Sequence, residues 1–358
     1  MNKISARQVY FYLACVAPVG KLVIMPARLT KYVGNGLLIP ALVQFLLQTG
    51  VIFAVLLLAK RGQSFYELLQ NTFGKILAKI IILIFSAFLF YAAFLPLLEQ
   101  KTFVQGTFYD TVPSLVAFAP FFLLCVFLCS KPLSSYGRTW DILGPLAIAG
   151  LAGILVLSWS ETEFAALLPI GAAGAKKIFQ SIAYSFCWFF DTAILLMLLG
   201  KFDYQKGMAW KGAVYYFLGG LATLLFLAVF YGVFQETAIN QLFAFSKTSK
   251  YFSGMSVLGR VDYIFIYALA FIMIFYTSLP LQAGIEGILQ AFGRKKYLPT
   301  LLSLGLNAIL LSLTAVFDFR FNEVMIFISE TLFWIFPIFT LVLPPCCLLL
   351  RRKKRERS

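Results

Sequence analysis

The sequence predicts an all-α, polytopic membrane protein with ten transmembrane helices, and three observations lead to that prediction. Of the 358 residues, 61% are hydrophobic and only 13% are charged, which is more apolar surface than a soluble chain can bury. The mean hydropathy is +0.87, and the apolar residues form runs long enough to cross a bilayer as helices. The alternating pattern of barrel strands is absent.

The apolar runs follow one another along the chain and are separated by short polar connections. A run of about 20 apolar residues rises roughly 30 Å as a helix, which matches the thickness of the hydrocarbon core. The ten predicted spans cover residues 8–25, 36–58, 76–98, 114–130, 140–157, 178–199, 212–234, 261–289, 298–317 and 324–350. Residues 63–75 have the pattern of a short amphipathic helix on the cytoplasmic face.

The distribution of Lys and Arg predicts that both termini are cytoplasmic. With the N-terminus inside, twenty basic residues lie on the inner side, nine lie outside, and only Lys21 falls within a span. Cytoplasmic loops retain positive charge, so this asymmetry sets the direction. The acids show the opposite bias, with Glu99 among those at an outer edge. The net charge of +15 then reflects topology and contact with anionic lipid, and implies no nucleic-acid partner.

The absence of histidine excludes mechanisms that need an imidazole base or metal ligand. The six cysteines have neither metal-ligand spacing nor the density of a secreted disulfide framework. Two acids within the predicted spans, Asp191 and Glu330, form no paired catalytic motif. We therefore expect no enzymatic activity, no metal and no cofactor.

The first span contains residues that interrupt a helix. The segment APVGKLVIMP places Pro18 and Gly20 near its middle, with Val19 and Lys21 beside them. Proline removes a backbone donor and glycine loosens the helix. Freed backbone groups at membrane depth must face protein, a cavity or a ligand. The segment is therefore a candidate ligand-binding element, and a proline kink in a packed bundle is the alternative.

The sixth span carries polar residues at the matching place. The segment SFCWFFDTAILL contains Ser185, Phe186, Trp188 and Asp191 within an otherwise lipid-compatible stretch. A carboxylate exposed to hydrocarbon is costly, so Asp191 should face an aqueous cavity or a partner. An aromatic wall beside unwound backbone can combine apolar contact with a few well-placed polar groups. We expect these residues to line the ligand site.

Ten spans divide into five plus five, and an odd number of spans reverses the direction of the second half. Spans one and six then become equivalent elements of an inverted repeat, in which broken helices bind substrate near the midplane. The single transmembrane domain would comprise a first repeat at residues 1–160, a second at 161–350 and a basic cytoplasmic tail at 351–358.

The third and eighth spans supply further candidate ligand-binding residues. Tyr91 lies deep in the third span, and Tyr276, Thr277 and Ser278 lie near the centre of the eighth. Hydroxyls at such positions can simply bond to neighbouring backbone. Alternatively, Thr277 and Ser278 face the first-span break and complete an ion or ligand site.

Lys21 has two interpretations, because an ammonium within a span needs a carboxylate, carbonyls or water. In the first, it acts as a built-in cation paired with Thr277, Ser278 or exposed carbonyls, which would make the protein independent of Na⁺. In the second, its four-carbon stem extends to the outer surface. The short distance along the chain to Pro26 favours the second.

Several short motifs lie in order along nearly the whole chain. They are ISARQ at residues 4–8, SYGRTWDILGPL at 135–146, LLP at 167–169, SFCWFFD at 185–191, GRVD at 259–262, GRKKYLPTLL at 293–302, and Trp334 with Pro337 before the basic tail. Their order resembles that of the B subunits of spore germinant receptors, the GerAB-like spore permeases of the amino acid-polyamine-organocation superfamily.

The resemblance implies a ten-helix fold of the leucine-transporter type and a role in nutrient sensing. Such subunits sense nutrients such as amino acids at the inner membrane of a bacterial endospore, together with an A subunit and a lipoprotein C subunit. This chain departs from the family in two places. Val19, Gly20 and Lys21 replace a Gly-Ser-Gly-like break, and Cys187 and Trp188 stand where a proline is frequent. The resemblance therefore carries no ligand identity to this chain.

We thus expect a receptor subunit that binds a small nutrient in a midplane pocket lined by spans one, three, six and eight, and that triggers germination. An amino acid symporter coupled to Na⁺ or H⁺ is the alternative, since receptor and symporter share a fold. A membrane-embedded enzyme is disfavoured because no histidine is present.

Overall fold

The computed structural model describes residues 3–60, 62–108, 114–250, 262–293, 295–316 and 320–356. Within these ranges the regular structure is helical and contains no β-strand, which confirms the all-α prediction. One isolated bridge pairs Ile4 with Phe202. The predicted start of the eighth span at Val261, the first three residues of the GRVD motif, Arg294 and residues 357–358 of the tail lie outside the described residues.

The helices are numbered here in chain order. They are α1 (Ala6–Phe11, extended by a π-helical turn at Tyr12–Val16 and by Ala17–Val19), α2 (Met25–Val33), α3 (Leu38–Ala59), α4 (Phe65–Phe73), α5 (Lys75–Phe108), α6 (Ser114–Ser130), α7 (Tyr136–Ser158), α8 (Ala175–Ser185), α9 (Asp191–Met197), α10 (Met208–Phe234), α11 (Ala244–Lys250), α12 (Asp262–Phe292), α13 (Leu298–Val316), α14 (Phe321–Ile326, extended by a π-helical turn at Phe327–Thr331) and α15 (Ile335–Pro337, Ile338–Val342 and Leu343–Glu356).

Seven helical stretches in the described part of the chain are long and apolar enough to cross a membrane. They are Met25–Ala59, Lys75–Val104, Leu133–Ser158, Ala175–Met197, Met208–Asn240, Asp262–Phe292 and Leu298–Val316. A bent pair, Glu323–Thr331 with Ile335–Leu349, brings the number to eight. The predicted first span falls on the short helices α1 and α2, and the predicted fourth span falls on α6, which has 17 residues.

The first predicted interruption is confirmed, although a different proline marks it. Residues 20–24 form turns between α1 and α2, and we call them the first break. Pro18 lies inside the last turn of α1, whereas Pro26 is in the first turn of α2. A proline near a helix start loses nothing, because its missing N–H would have had no helical partner.

The sixth predicted span is also interrupted. A 3₁₀ turn at Phe186–Trp188 and two non-helical residues separate α8 from α9, and we call residues 186–190 the second break. Asp191 is the first residue of α9, where a negative charge is stabilised by the helix dipole.

The tenth predicted span is bent by 52° at residues 332–334, which the sequence analysis did not predict. These residues are Leu-Phe-Trp and contain no glycine or proline. The cause lies further along the chain, because the ring of Pro337 conflicts with helical geometry at Phe333, four residues earlier.

The predicted cytoplasmic helix at residues 63–75 corresponds to α4. Ser64 caps its first turn by accepting a hydrogen bond from the Glu67 amide, and the Glu67 side chain accepts one from the Ser64 amide. This reciprocal capping box satisfies two backbone donors at the helix start. Gly74, with φ of 86°, ends the helix.

Two of the sequence motifs meet at the start of the bundle. The Arg7 guanidinium lies 2.9 Å from one Asp141 oxygen, and the Gln8 amide donates to the other at 2.6 Å. Asp141 of the second motif thus pairs with Arg7 of the first. Gly137 permits the contact, because a Cβ atom there would lie 2.7 Å from Oε1 of the Gln8 side chain.

Candidate ligand site

The two breaks meet at a buried ion pair. The Lys21 ammonium lies 2.6 Å from Oδ2 of Asp191, and both side chains are 0% exposed. The two residues are 170 positions apart in the sequence. Because Lys21 lies in the first break and Asp191 directly follows the second, the ion pair joins the two interrupted helices directly.

Four further groups surround the pair. The Lys21 ammonium donates to the carbonyl oxygen of Ala17 at 2.8 Å, and the Tyr216 hydroxyl donates to Oδ2 of Asp191 at 2.9 Å. The rings of Phe189 and Tyr276 lie 5.1 and 5.6 Å from the ammonium, within cation–π range. A carbonyl, a carboxylate and two aromatic faces form an environment that suits a cation, and Lys21 occupies it.

These contacts decide between the two interpretations of Lys21. The prediction that its stem reaches the outer surface is wrong, since the residue is 0% exposed. The prediction that it pairs with exposed carbonyls is confirmed by Ala17. Its pairing with Thr277 or Ser278 is wrong, because its charged partner is Asp191. Asp191 has the partner that its position required.

Three carbonyl groups in the breaks accept hydrogen bonds from other elements. In the first break, the carbonyls of Leu22 and Val23 accept hydrogen bonds from the first two amides of α11, at 3.2 and 2.9 Å. In the second break, the Phe189 carbonyl accepts from the Gln48 side chain on α3 at 3.2 Å. These bonds supply partners of the kind that irregular backbone at membrane depth needs within the protein.

Gly20 lies directly against the ring of Tyr276. A Cβ atom at position 20 would come within 2.6 Å of two ring carbons. The Tyr276 ring also packs on Phe190, with centroids 5.4 Å apart, and its hydroxyl donates to the Trp188 carbonyl at 3.4 Å. Tyr276 therefore touches both breaks.

Trp188 contacts a carboxylate that the sequence analysis misplaced. Its indole N–H donates to Oε1 of Glu99 at 2.6 Å. Glu99 was expected at an outer edge beyond a span ending at residue 98, but α5 continues to Phe108 and the residue is only 1% exposed. The run Glu99-Gln100-Lys101 contains no turn-forming residue, and that was the available signal for a continuing helix.

The remaining predicted residues take more ordinary positions. Ser185 ends α8 and donates to the Ile182 carbonyl at 2.9 Å, and Phe186 begins the second break. The Thr277 hydroxyl lies 3.5 Å from the Pro96 carbonyl, and Ser278 accepts from the Tyr136 hydroxyl at 2.9 Å. Ser278 also donates to the Phe275 carbonyl at 3.4 Å, so both hydroxyls bond to backbone, as in the alternative stated above.

Pro18, Val19 and Tyr91 line apolar cavities. Pro18 and Val19 border a cavity of about 170 Å³ between α1, α7 and α10. Tyr91 borders one of about 300 Å³ between α5 and α13, and its hydroxyl has no hydrogen-bond partner. A more polar cavity of about 490 Å³, which includes Thr30 and Asn35, lies at the end of α2. Groups of three or more residues able to hold a metal ion do not occur in the described part of the chain.

Fold and site together define a multi-pass helical membrane protein in which two interrupted helices meet around a buried ion pair. A family model described as spore germination protein matches residues 36–315. The chain therefore belongs to the spore germination protein family of spore permeases. Spore germination protein KB of Bacillus subtilis (strain 168) is 22% identical over 261 residues, which are 70% of this chain and 69% of that relative.

Proposed function

We propose that this chain is the B subunit of a spore germinant receptor, and that it binds a small nutrient, an amino acid, between the two breaks. Membership of the spore germination family supports this role. The observation that carries the proposal is the meeting of the two breaks, joined by Lys21 and Asp191. Broken helices that meet near the midplane are the usual place of substrate binding in transporter-like folds.

The proposal includes ten spans arranged as a five-plus-five inverted repeat of the leucine-transporter type. Residues 1–160 and 161–350 would form the repeats, with the tail at 351–358 in the cytoplasm. Two backbone hydrogen bonds support it, because Ile4 donates to the Lys201 carbonyl at 2.9 Å and accepts from Asp203 at 3.0 Å. They bring the start of α1 beside the end of α9, on one side of the protein, as an inverted repeat requires.

Lys21 acts in this proposal as a built-in cation. In related folds the carbonyls of unwound helices coordinate Na⁺, and here the Ala17 carbonyl and Asp191 bind the Lys21 ammonium. A permanently bound cation favours a sensor that needs no Na⁺ over a Na⁺-coupled symporter. Nutrient binding would shift the equilibrium between conformations and pass the change to the A and C subunits in the spore inner membrane.

The test is to delete the gene in its own spore-forming host and restore it from a second locus. We expect deletion spores to lose germination in response to one class of nutrient while they still germinate with agents that bypass receptors. Restoration should recover the response. Deletion spores that germinate like the parent with every nutrient would contradict the receptor role.

A flux assay separates the sensor from the alternative. The purified chain in liposomes should show no concentrative uptake of an amino acid when a Na⁺ or H⁺ gradient is applied. Gradient-driven uptake would favour the amino acid symporter instead.

A further inference from the structure

The apolar cavity between α1, α7 and α10 opens on the outside of the helix bundle at membrane depth. Its volume is about 170 Å³, and every residue that lines it is Ala, Gly, Cys, Pro, Val, Ile or Leu. Exposed apolar side chains border it on both sides. Ile148 of α7 is 53% exposed, and Leu218 of α10, next to the lining residue Gly219, is 51% exposed. Exposed surface at this depth meets hydrocarbon, so the cavity opens towards lipid.

The floor of the cavity is the last part of α1. Pro18 and Val19 line the cavity and directly precede the first break. Gly219 allows α10 to approach this helix closely, because a Cβ atom at position 219 would overlap the Ala14 carbonyl oxygen and the Pro18 ring. Whatever fills the cavity therefore packs against the turn of α1 from which the first break begins.

The lining of the cavity selects an apolar occupant. A polar group placed there would give up its hydrogen bonds to water and find no partner among these side chains. An engineered apolar cavity of roughly 150 Å³ binds benzene, so the present volume suits a hydrocarbon segment of about six carbons. A lipid acyl chain supplies such a segment at this depth.

The walls of the cavity run in the same direction as α1. Tyr10 and Tyr12, near the start of α1, stack on Tyr215 of α10 and on Trp140 of α7, with ring centroids 4.9 and 4.8 Å apart. Further along α1, Pro18 reaches the level of the cavity. The first turns of α7 and α10 therefore lie at one end of the bundle, on the same side of the cavity.

Two exposed basic residues lie in those first turns. Arg138 is nine positions before the lining residue Ala147 on α7, and Lys211 is eight positions before Gly219 on α10. At 1.5 Å per residue, both are about 12–14 Å from the cavity along their helices. One leaflet of the hydrocarbon core is about 15 Å thick, so these residues lie at the level of the lipid headgroups when the cavity lies near the midplane.

The side chains at this level suit an anionic headgroup. Arg138 and Lys211 are both exposed, and Trp210 beside Lys211 is 69% exposed. Tryptophan favours the boundary between hydrocarbon and headgroups, and basic residues there attract anionic lipid. The guanidinium fork also matches the geometry of a phosphate group. Charge at one end and an apolar cavity about one leaflet deeper correspond to the two parts of a phospholipid.

We propose that this cavity binds the end of one acyl chain of an anionic phospholipid, whose phosphate group contacts Arg138 and Lys211. The chain lies between α7 and α10, and its end packs on Pro18 and Val19. In the proposed topology the lipid belongs to the cytoplasmic leaflet. Because the bound chain supports the last turn of α1, the lipid composition of the membrane affects the first break.

The test is photo-crosslinking of the full chain in phosphatidylcholine vesicles. The probes are phosphatidylglycerol and phosphatidylcholine, each with a diazirine near the end of one acyl chain, and mass spectrometry locates the labelled residues. We expect labelling at residues 147–155 and 219–222, about tenfold stronger with phosphatidylglycerol, because each basic residue at the interface favours anionic lipid. Equal labelling by the two lipids, or none at these residues, would overturn the proposal.

Variants that fill the cavity from two different helices test its role. Ala152→Leu on α7 and Ala222→Leu on α10 should each reduce the labelling about fivefold or more, because leucine takes the space of the chain end. Ala308→Leu is the matched control on α13, since Ala308 is exposed and lies away from this cavity. It should leave the labelling unchanged, and thermal unfolding shows that each variant is folded. Undiminished labelling in both cavity variants would overturn the site.

Two further measurements test the headgroup and the occupant. Replacement of both basic residues, Arg138→Gln with Lys211→Gln, should abolish the preference for phosphatidylglycerol while the cavity is still labelled; an unchanged preference would contradict the phosphate contacts. The chain is also labelled in native membranes together with its partner proteins. If the cavity is labelled in the isolated chain but protected there, a helix of a partner occupies it, and the lipid site is wrong.

Discussion

The Lys21–Asp191 ion pair is the residue-scale feature that joins the two breaks. Both charges are completely buried, so neither can be hydrated if its partner is lost. Removal of one member of such a pair is strongly destabilising because it leaves an uncompensated buried charge, whereas replacement of both by neutral groups is often tolerated. The pair therefore predicts opposite results for single and double substitutions.

Lys21→Met should lower the free energy of unfolding by about 3–5 kcal/mol, because it leaves the Asp191 carboxylate unpaired. The double variant Lys21→Met with Asp191→Asn should recover most of that loss. Thermal unfolding of the purified variants measures both effects. If Lys21 also replaces a bound ion, Na⁺ should stabilise Lys21→Met more than the parent.

Lys201→Met serves as the matched control, because its partner Glu286 is 2.5 Å away but the Lys201 side chain is 12% exposed. Lys201→Met should lower the free energy of unfolding by less than Lys21→Met does, because water can reach the remaining charge. If the double variant is as unstable as Lys21→Met, the unpaired charge is not the cause of the lost stability. If Na⁺ does not stabilise Lys21→Met, the interpretation of Lys21 as a built-in cation is wrong.

Single residues were predicted well where their chemistry alone demanded a partner. Asp191 and Lys21 could each be identified because a charge within an apolar run is costly. That they are partners of each other could not be predicted, because 170 residues separate them and only the fold brings the two breaks together. The burial of Glu99 was not predicted, because a run of polar residues that follows an apolar run usually indicates a loop.

At the scale of elements, the two breaks depend on close contact as much as on helix-breaking residues. Gly20 fits against the Tyr276 ring only because it has no side chain. Through this contact the first break, which lies between α1 and α2, packs against the middle of α12. Overpacking of such a contact forces neighbouring atoms to shift.

Gly20→Ala should therefore destabilise the chain by about 1–3 kcal/mol and displace Tyr276 from the breaks. Gly305→Ala is the control, because nothing lies within 4 Å of a Cβ atom at that position on α13. It should stabilise by about 0.5–1 kcal/mol through helix propensity. Thermal unfolding of both variants gives the comparison, and equal effects would contradict the packing argument.

Prolines show why breaks are only partly predictable from sequence. Pro96 and Pro280 lie inside the continuous helices α5 and α12, whereas Pro337 follows a 52° bend. The helices α5 and α12 pack along one another more extensively than any other pair in the described part of the chain. Such packing keeps a helix continuous although proline removes one backbone hydrogen bond. The sequence does not show which prolines lie in helices that are packed in this way.

At the scale of the whole molecule, the proposed topology places both chain ends on the cytoplasmic side. The all-helical class followed from composition alone, because a bilayer accepts few other structures. The number of spans did not follow as directly, since one span is broken into short helices and another is bent. The positive-inside distribution is therefore the main argument for direction.

A cysteine added after Ser358 tests that direction. Cys346 is exposed and is replaced by serine to remove its background, while the other five cysteines are buried. A membrane-impermeant maleimide should label the added thiol in inside-out vesicles and leave it unlabelled in right-side-out ones. Labelling in right-side-out vesicles alone would overturn the cytoplasmic tail and the inverted repeat with it.

The hydrogen bonds between α11 and the first break have a mechanical consequence. Two amides at the start of α11 donate to the carbonyls of Leu22 and Val23, and the residue before Leu22 is Lys21, which carries the ammonium of the ion pair. Because these two hydrogen bonds join α11 to the backbone next to Lys21, a displacement of α11 also moves the junction of the broken helices.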